Sequence, residues 1–560
     1  MKREIYILVL LLFGVVGGGY AQDGYYFGGE VVQQAGLSTN RMAQLSQPQL
    51  FGTARSMSMA NAFTSLGGDL ASMAINPAGL GMYRTNEVSI TPVITSTNSI
   101  NSAAAYDSNS KSRFGLANFS VLYKLYEGTG SVVSVNMGIG YNRKADLNYK
   151  TSYFMDTPYM GGESAPSILS LMAGQLTVNG LYPNDEGFLG YYGQKAPDLW
   201  GAMLAYNAYL INPDSDSGGP YWAANTVGRN ASIGHYYDLV SRGSMGEYGF
   251  SFGMNINNKL YLGLGLSLET LSQRIDLYYA EDFDYGGEVA VDGKGEELYE
   301  QAEYMHYNQM ADISGVGFNM KFGVIYRPIN SLRLGFAVHT PTFYSVDYTY
   351  AAQMASMNLN NEDGKHYPSD ITTNGTWTDR NGDAWRLNTP TRVMFGASYT
   401  IGNAAIISID YERDWYNGIR VKNTPFWIPS ASDYSASVVK EKFKATNNLR
   451  VGAEFKPTER LSLRAGYSYT DSMVADAALV EDSPIAESVT LYTAGIGYRL
   501  SPRVSLDAAY QYNSTECSSY RLFYAAYDSG AGDVELFDAL DRVKTEYVRH
   551  NVAITLSVKF

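Results

Sequence analysis

From Tyr547 to Phe560 the polarity of the chain changes at almost every step. Val548, Val552, Ile554, Leu556, Val558 and Phe560 fall on one side, and Tyr547, Arg549, Asn551, Thr555, Ser557 and Lys559 on the other. Side chains on a strand alternate faces with period two, so this pattern predicts one strand with an apolar and a polar face. The alternation recurs along the chain. Leu260, Leu262, Leu264, Leu266 and Leu268 oppose Tyr261, Gly263, Gly265, Ser267 and Glu269. Val316, Phe318, Met320, Phe322 and Val324 oppose Gly317, Asn319, Lys321 and Gly323. The same holds for Leu449 to Phe455 and for Val504 to Tyr512. A soluble sandwich turns its charges outward. Here the polar set mixes Gly and Ser with both signs of charge, which suits a wet lumen where charges pair while the apolar set meets lipid.

The connections alternate as well. Short turns are predicted at Glu127–Gly130, Asn255–Lys259, Arg327–Ser331, Ile401–Asn403, Lys456–Arg460 and Leu500–Arg503. Between them lie long polar links at 98–111, 151–242, 281–309, 351–386, 422–446, 471–487 and 514–542. Short periplasmic turns and long extracellular loops joining about fourteen strands are the signature of an outer-membrane barrel. The expected fold is therefore all-β: a 14-stranded antiparallel transmembrane β-barrel over 86–560, closed by its last strand against its first, with both ends periplasmic.

A length of 560 residues would mean about three or four ordinary soluble domains, but a barrel grows as one domain by adding strands. The composition fits: 47 Tyr for interfacial girdles, 56 Gly for crowded lumen walls and turns, and only 17% charged residues. A net charge of −14 argues against nucleic acid as a partner. The single cysteine, Cys517, excludes an internal disulfide framework and any Cys-rich metal site. Lys2 and Arg3, the apolar run Ile5–Val16 and the small residues before Gln22 read as a signal peptide over 1–21, pointing to a secreted chain in the Gram-negative outer membrane. No later run is long and apolar enough for a membrane helix.

Residues 22–85 lack strand alternation and read as a compact, partly helical segment or a periplasmic tail. Met57, Phe63 and Leu66 are spaced for a short helix stopped by Gly67 and Gly68, and 69–75 for a second one ended by Asn76 and Pro77. The link 151–242 is too long to be structureless. Pro197 and Asp198 suit a helix start, with Leu199, Met203, Tyr206 and Leu210 on one face. That link either packs over the barrel mouth or gates a ligand.

Just before the first strand stands Asn76-Pro77-Ala78-Gly79-Leu80, preceded by GTARSMSMANAFTSLGGDL. With the signal peptide and the strand count, these residues resemble the outer-membrane long-chain fatty acid and aromatic hydrocarbon transporter family (FadL/TodX, OmpP1 type), over essentially the whole mature chain. The resemblance implies an N-terminal hatch plugging the barrel, with 76–80 as the hatch motif, and Phe560 as the aromatic end of an assembly signal. It further implies hydrophobic ligands that enter from outside and leave sideways near a kink in the third strand. The chain departs from the family in carrying its long helical insert after the third strand.

Enzyme chemistry is not expected. Gly263-Leu264-Gly265 and Gly495-Ile496-Gly497 sit inside strands, and no HExxH or CxxC occurs. His339, inward with Arg333, is the one histidine worth testing for catalysis, against the reading of a hydrogen-bonded lumen residue. His235, His306, His366 and His550 are scattered, so nothing supports haem. Glu481 and Asp482 read as solvated loop carboxylates. The expected function is passive transport of hydrophobic small molecules, long-chain fatty acids or similar compounds, with no cofactor or metal. The alternatives are a docking or shuttle barrel of a protein secretion system and an open porin. Expected partners are outer-membrane lipids, a hydrophobic small-molecule ligand and the barrel assembly machinery, with the barrel itself a monomer.

Overall fold

The computed structural model describes residues 25–32, 39–159, 165–181, 199–213, 222–292, 294–372, 377–378, 385–422, 439–475, 483–528, 534–537 and 539–560. Among these, 14 antiparallel strands form a closed barrel. They are β1 (Glu87–Asn101), β2 (Ser110–Glu127), β3 (Val132–Asp146, continued by Tyr149–Thr157), β4 (Ser232–Ile256) and β5 (Leu260–Asp284). Next come β6 (Glu300–Ile329), β7 (Leu332–His339 and Phe343–Asn360), β8 (Trp385–Asn388 and Arg392–Ile401) and β9 (Ala405–Trp415 and Arg420–Lys422). The last five are β10 (Ala445–Phe455), β11 (Leu461–Thr470), β12 (Ala486–Arg499), β13 (Val504–Cys517) and β14 (Thr545–Lys559). β14 closes the wall on β1, with Val558 opposite Val88 and Val552 opposite Ile94. The short turns predicted from the sequence all lie at one end, where Glu87 and Lys559 also meet.

The strands outrun the bilayer. β6 alone has 30 residues, about three times the 9–11 that cross a membrane. The links expected over 151–242, 281–309 and 351–386 are therefore shorter than the sequence reading made them. Tyr149–Thr157, Ser232–Arg242 and Glu300–Gln309 belong to strands, so the insert spans 158–231. Lipid-type alternation ceases at these strand ends. The alternation in fact continues with its faces exchanged. On β5, Leu264, Leu266 and Leu268 are exposed and Ser267 and Glu269 buried; further up, Ser272 and Arg274 are exposed and Leu271, Ile275 and Leu277 buried. A wall that meets lipid outside can be wet inside, and one that meets water outside must be dry inside.

The upper lumen is accordingly an apolar core. It takes up α1 (Thr39–Ser46) of the N-terminal segment and two helices of the insert, α4 (Ile168–Val178) and α5 (Trp200–Asn207); the short α2 (Ala54–Met57) and α3 (Ser72–Ile75) come between them in the chain and sit lower in the lumen. α4 is apolar nearly all round and buried, as a helix inside a core must be. Its first turn is held by Glu281 of β5, which accepts from the Ile168 N–H at 2.8 Å and from Ser167 Oγ at 2.6 Å. In α5, Leu199, Met203 and Leu210 are buried as their spacing suggested, while Tyr206 is partly exposed. Pro197 and Asp198 lie outside the described residues, as do residues 1–24.

The N-terminal segment threads the barrel from top to bottom. Tyr25–Gly28 pairs with Tyr524–Tyr527 beyond the end of β13 that carries the long loops. Residues 51–83 then fill the membrane-level lumen before β1 begins at the short-turn end. Here the sequence reading needs correction: no helix joins Met57 to Leu66. α2 (Ala54–Met57) is a single turn capped by Thr53, and the chain then reverses through Ala60 and Asn61, at φ 51° and 53°. The Asn61 side chain fastens that reversal by donating to the Phe51 carbonyl at 2.8 Å. The spacing of Met57 and Phe63 reflects two separate apolar patches on the wall, not one helical face. The second helix, α3 (Ser72–Ile75), ends at Asn76 as read.

Candidate functional site

Asn76, Pro77, Ala78, Gly79 and Leu80 are all buried, in a 3-10 turn running to Met82. Asn76 holds its start. Its Oδ1 accepts from the Ala78 N–H at 3.1 Å, and its Nδ2 donates to the Thr64 carbonyl at 2.6 Å. The same nitrogen lies 3.3 and 3.4 Å from the carbonyls of Val324 and Phe336, register partners on β6 and β7. Asn136 of β3 receives the other end, donating to the Leu80 carbonyl at 2.7 Å and to that of Tyr83 at 3.1 Å. The Leu80 side chain packs with Leu70, Met73, Tyr83 and Leu122.

Between these fastenings the turn rests on a row of wall glycines. Gly253, Gly263 and Gly323 are register neighbours on β4, β5 and β6. A Cβ on Gly263 would fall on the backbone of Pro77 and Ala78, and one on Gly323 on the Asn76 amide. One on Gly253 would come within 2.7 Å of Leu80 Cβ. The glycines thus let backbone lie against backbone where any side chain would hold the turn off the wall.

The rest of the segment is tied round the lumen by polar side chains. Arg55 pairs with Glu454 at 3.0 Å, and Arg464 joins Glu454 to Asp507 at 2.7 and 2.6 Å. Asp410 accepts from the Thr64 N–H at 2.7 Å, and Thr555 Oγ1 from that of Ala54 at 2.6 Å. His339 Nε2 meets the Ile75 carbonyl at 2.9 Å and Arg333 donates to Leu66 at 2.7 Å, so both fasten the segment. His235 bonds Tyr279 inside the upper core, His366 bonds Glu303, and His550 bonds Tyr510. Glu481 and Asp482 lie outside the described residues. The inward polar positions were visible in the sequence, but their partners in the segment were not.

The wall itself is interrupted beside this plug. β2 pairs with β1 from Ser110 to Leu122, but with β3 only from Asn118 onward, opposite Asn142. Above that pair β3 stays with β4 and leaves β2, breaking at Leu147 and Asn148, where Gly243 of β4 is also distorted (φ 159°). The edge of β2 from 110 to 117 is left without a ladder partner on this side. Higher up the gap closes again: Ser99 Oγ donates to the Lys150 carbonyl at 2.7 Å, Asn109 accepts from the Ser152 N–H at 2.6 Å, and the Phe154 N–H donates to the Ala104 carbonyl at 2.8 Å. The N-terminal segment touches the break directly. Gln49 exchanges hydrogen bonds with the Asp146 backbone, at 3.0 and 2.9 Å, and its N–H donates to Lys144 at 2.9 Å. Arg143, paired with Asp146 at 2.6 Å, occupies the space over Gly115, where a Cβ would collide with its guanidinium. Outside, Ile94 and Phe114 face each other in register, 52% and 70% exposed, as the lipid-facing flank of the gap.

The sequence profile of the outer membrane protein transport protein family (OMPP1/FadL/TodX) matches residues 242–526. Among solved structures, a Pseudomonas aeruginosa FadL homologue is similar, with a TM-score of 0.51 and 11% identity over 92% of this chain and 99% of that one. The Pseudomonas putida toluene transporter TodX aligns with a TM-score of 0.47 and 13% identity over 91% and 99%. At such identity the likeness to the P. aeruginosa structure concerns the fold alone. No curated protein matches the sequence.

Proposed function

The chain belongs to the OMPP1/FadL/TodX family of outer membrane transport proteins, and from that premise we propose that it takes up hydrophobic small molecules, long-chain fatty acids or compounds like them. One observation carries the reading: the lumen is filled along its axis at membrane level while the wall lacks a ladder between residues 110–117 of β2 and β3. A solute is thus refused a straight path and offered a sideways one, into the bilayer. An apolar solute gains by that route, at about 25 cal/mol per Å² of surface kept from water. In this reading residues 51–83 are a hatch, Asn76–Leu80 seat it, and Gln49 links its position to the strand that borders the gap. Departure requires only that binding be weak or divided among sites.

Uptake of a labelled long-chain fatty acid by cells lacking their own channel tests the proposal. Gly115→Trp, which displaces the Arg143 guanidinium and crowds the lumen side of the gap, is expected to abolish uptake while the barrel still folds and shifts on heat-modifiable gels. Undiminished uptake by this variant would remove the lateral route, and no uptake by the unaltered chain would leave the docking role in secretion as the reading to pursue.

A further inference from the structure

The short-turn end of the barrel is basic where its last strands meet. A cavity of about 240 Å³ opens there among the β10–β11 turn, the β12–β13 turn and the end of β14. Seven cations line it against three carboxylates, Glu454, Glu459 and Asp507, in a chain whose formal net charge is −14. The floor is internally paired: Arg55 and Arg464 share Glu454 at 3.0 and 2.7 Å, and Arg464 reaches Asp507 at 2.6 Å. At the rim Lys456 lies 3.3 Å from Glu454, and Lys559 3.7 Å from Glu87. Arg460, Arg499 and Arg503 are exposed, and none of the three pairs with a carboxylate among the described residues.

Backbone bonds draw these cations into one row. The Arg499 N–H donates to the Arg460 carbonyl at 2.9 Å, and the Lys559 N–H to the Arg503 carbonyl at 2.7 Å. Arg499 and Arg503 bracket the turn in which Ser501 and Val504 exchange backbone hydrogen bonds at 3.1 and 3.3 Å. Four cationic residues thus stand at the neighbouring ends of β11, β12, β13 and β14. Like charges side by side on adjacent strands repel. An anion among them turns that repulsion into attraction, and guanidinium forks fit phosphate oxygens two at a time. Ser462 and Ser505 add hydroxyls to the cavity wall.

We propose that this cavity is a binding site for a phosphate-bearing anion, held by Arg460, Arg499 and Arg503. Two sources carry that group: the head of an anionic phospholipid and a soluble phosphate. Exposed Phe455, Tyr498, Leu500 and Phe560 stand at the same strand ends, so a lipid head reaches the arginines with its tails beside apolar side chains. Arg55 belongs to the plug and the other cations to the wall, so an anion in the cavity lies between the two. The proposal is independent of the uptake reading and of the gap between β2 and β3.

Native mass spectrometry of the gently extracted, full-length barrel with phosphatidylglycerol or phosphatidylcholine of the same chains reads lipid retention. Calorimetry with inorganic phosphate reads the soluble source. Arg460→Gln/Arg499→Gln/Arg503→Gln changes exposed side chains only, and heat-modifiable mobility checks that the variant folds. Affinity is expected to fall about fivefold for each arginine removed, and so about a hundredfold for the three. Lys259→Gln/Arg327→Gln, at the β4–β5 and β6–β7 turns, removes charge from the same end and should leave binding unchanged. Selective retention of phosphatidylglycerol that the triple variant loses would support the site with a lipid as its source. Saturable binding of inorganic phosphate that the same variant loses, without lipid selectivity, would support it with a soluble source. Binding of neither, equal retention of the two lipids without phosphate binding, or equal loss in the control variant would overturn the proposal. Capture of polyglutamate with neither phosphate probe bound would overturn it too, and mark the cavity as a docking surface for an acidic protein. Should the triple variant not fold, Arg503→Gln alone decides: a fivefold loss supports the site, and no loss removes it.

Discussion

Strand β5 crosses two environments and is built differently for each. Near its short-turn end Leu264, Leu266 and Leu268 face out, while Gly265, Ser267 and Glu269 face in. From Leu271 upward the apolar residues face in and Ser272, Arg274 and Asp276 face out. β6 repeats the exchange: Phe318, Met320 and Phe322 are exposed below, whereas Ile313, Tyr307 and Met305 are buried above. The lower half is closed by backbone packed on glycine and by paired charges; the upper half is closed by a conventional apolar core around α4 and α5. The difference teaches that the solvent outside the wall decides what fills the inside. It also separates two tasks, since the upper half is held by burial and the lower half by fastenings that single side chains can release.

The largest effect should come from the upper core. Trp200 is fully buried there, and Trp200→Ala is expected to cost about 3–5 kcal/mol locally. Hydrogen exchange should then rise across 168–178 and 200–207 while the amides of β10 to β14 stay protected; protection unchanged at the helices would deny that the upper half is a burial-driven core. On the lower half the outward face should be the sensitive one. Leu264→Arg is expected to cost about 2–4 kcal/mol if it lies near the bilayer midplane. Ser272→Arg, outward on the same strand but above the exchange of faces, should stay within about 0.5 kcal/mol. Equal folding yields for the two variants in outer-membrane fractions would mean that the boundary between the halves is misplaced.

A smaller effect is expected at the glycine row. Gly263→Val pushes on the backbone of Pro77 and Ala78, at about 1–3 kcal/mol for overpacking. The wall should survive and the plug loosen, so small polar solutes should leak into vesicles carrying the variant. A tight variant would show that the turn does not depend on that approach. A comparable change in stability is expected from replacing Asn76, Pro77 and Ala78 together. Each hydrogen bond removed with Asn76 is worth about 0.5–1.5 kcal/mol, so the barrel should still assemble and shift on heat-modifiable gels while uptake of a hydrophobic ligand falls. Uptake that survives in the folded variant would limit the motif to leading the chain into β1.

Period-two alternation and turn chemistry are local properties, and they were legible at Leu260–Glu269, Val316–Val324, Tyr547–Phe560 and each short turn. They yield the barrel, its strand count and its lipid face without any knowledge of neighbours. Exposed polar positions such as Arg274 and Asp276 look alike on a strand and in a loop, so the upper strands are not legible as strands. The position of the 76–80 motif could be read from the chain, but not the glycines of β4 to β6 on which it rests. Only the closed barrel decides these, because closure sets residues side by side that the chain keeps far apart. Arg549 reaches Thr97 across 452 positions, and Asn76 lies 248 positions from Val324. The break between β2 and β3 is likewise a matter of register, fixed by how β3 bends at Leu147 and Asn148 and by the space that Gly115 and Gly243 leave. Periodicity records which way each side chain points. What it points at depends on shear, closure and the solvent beyond the wall, which no single stretch of the chain contains.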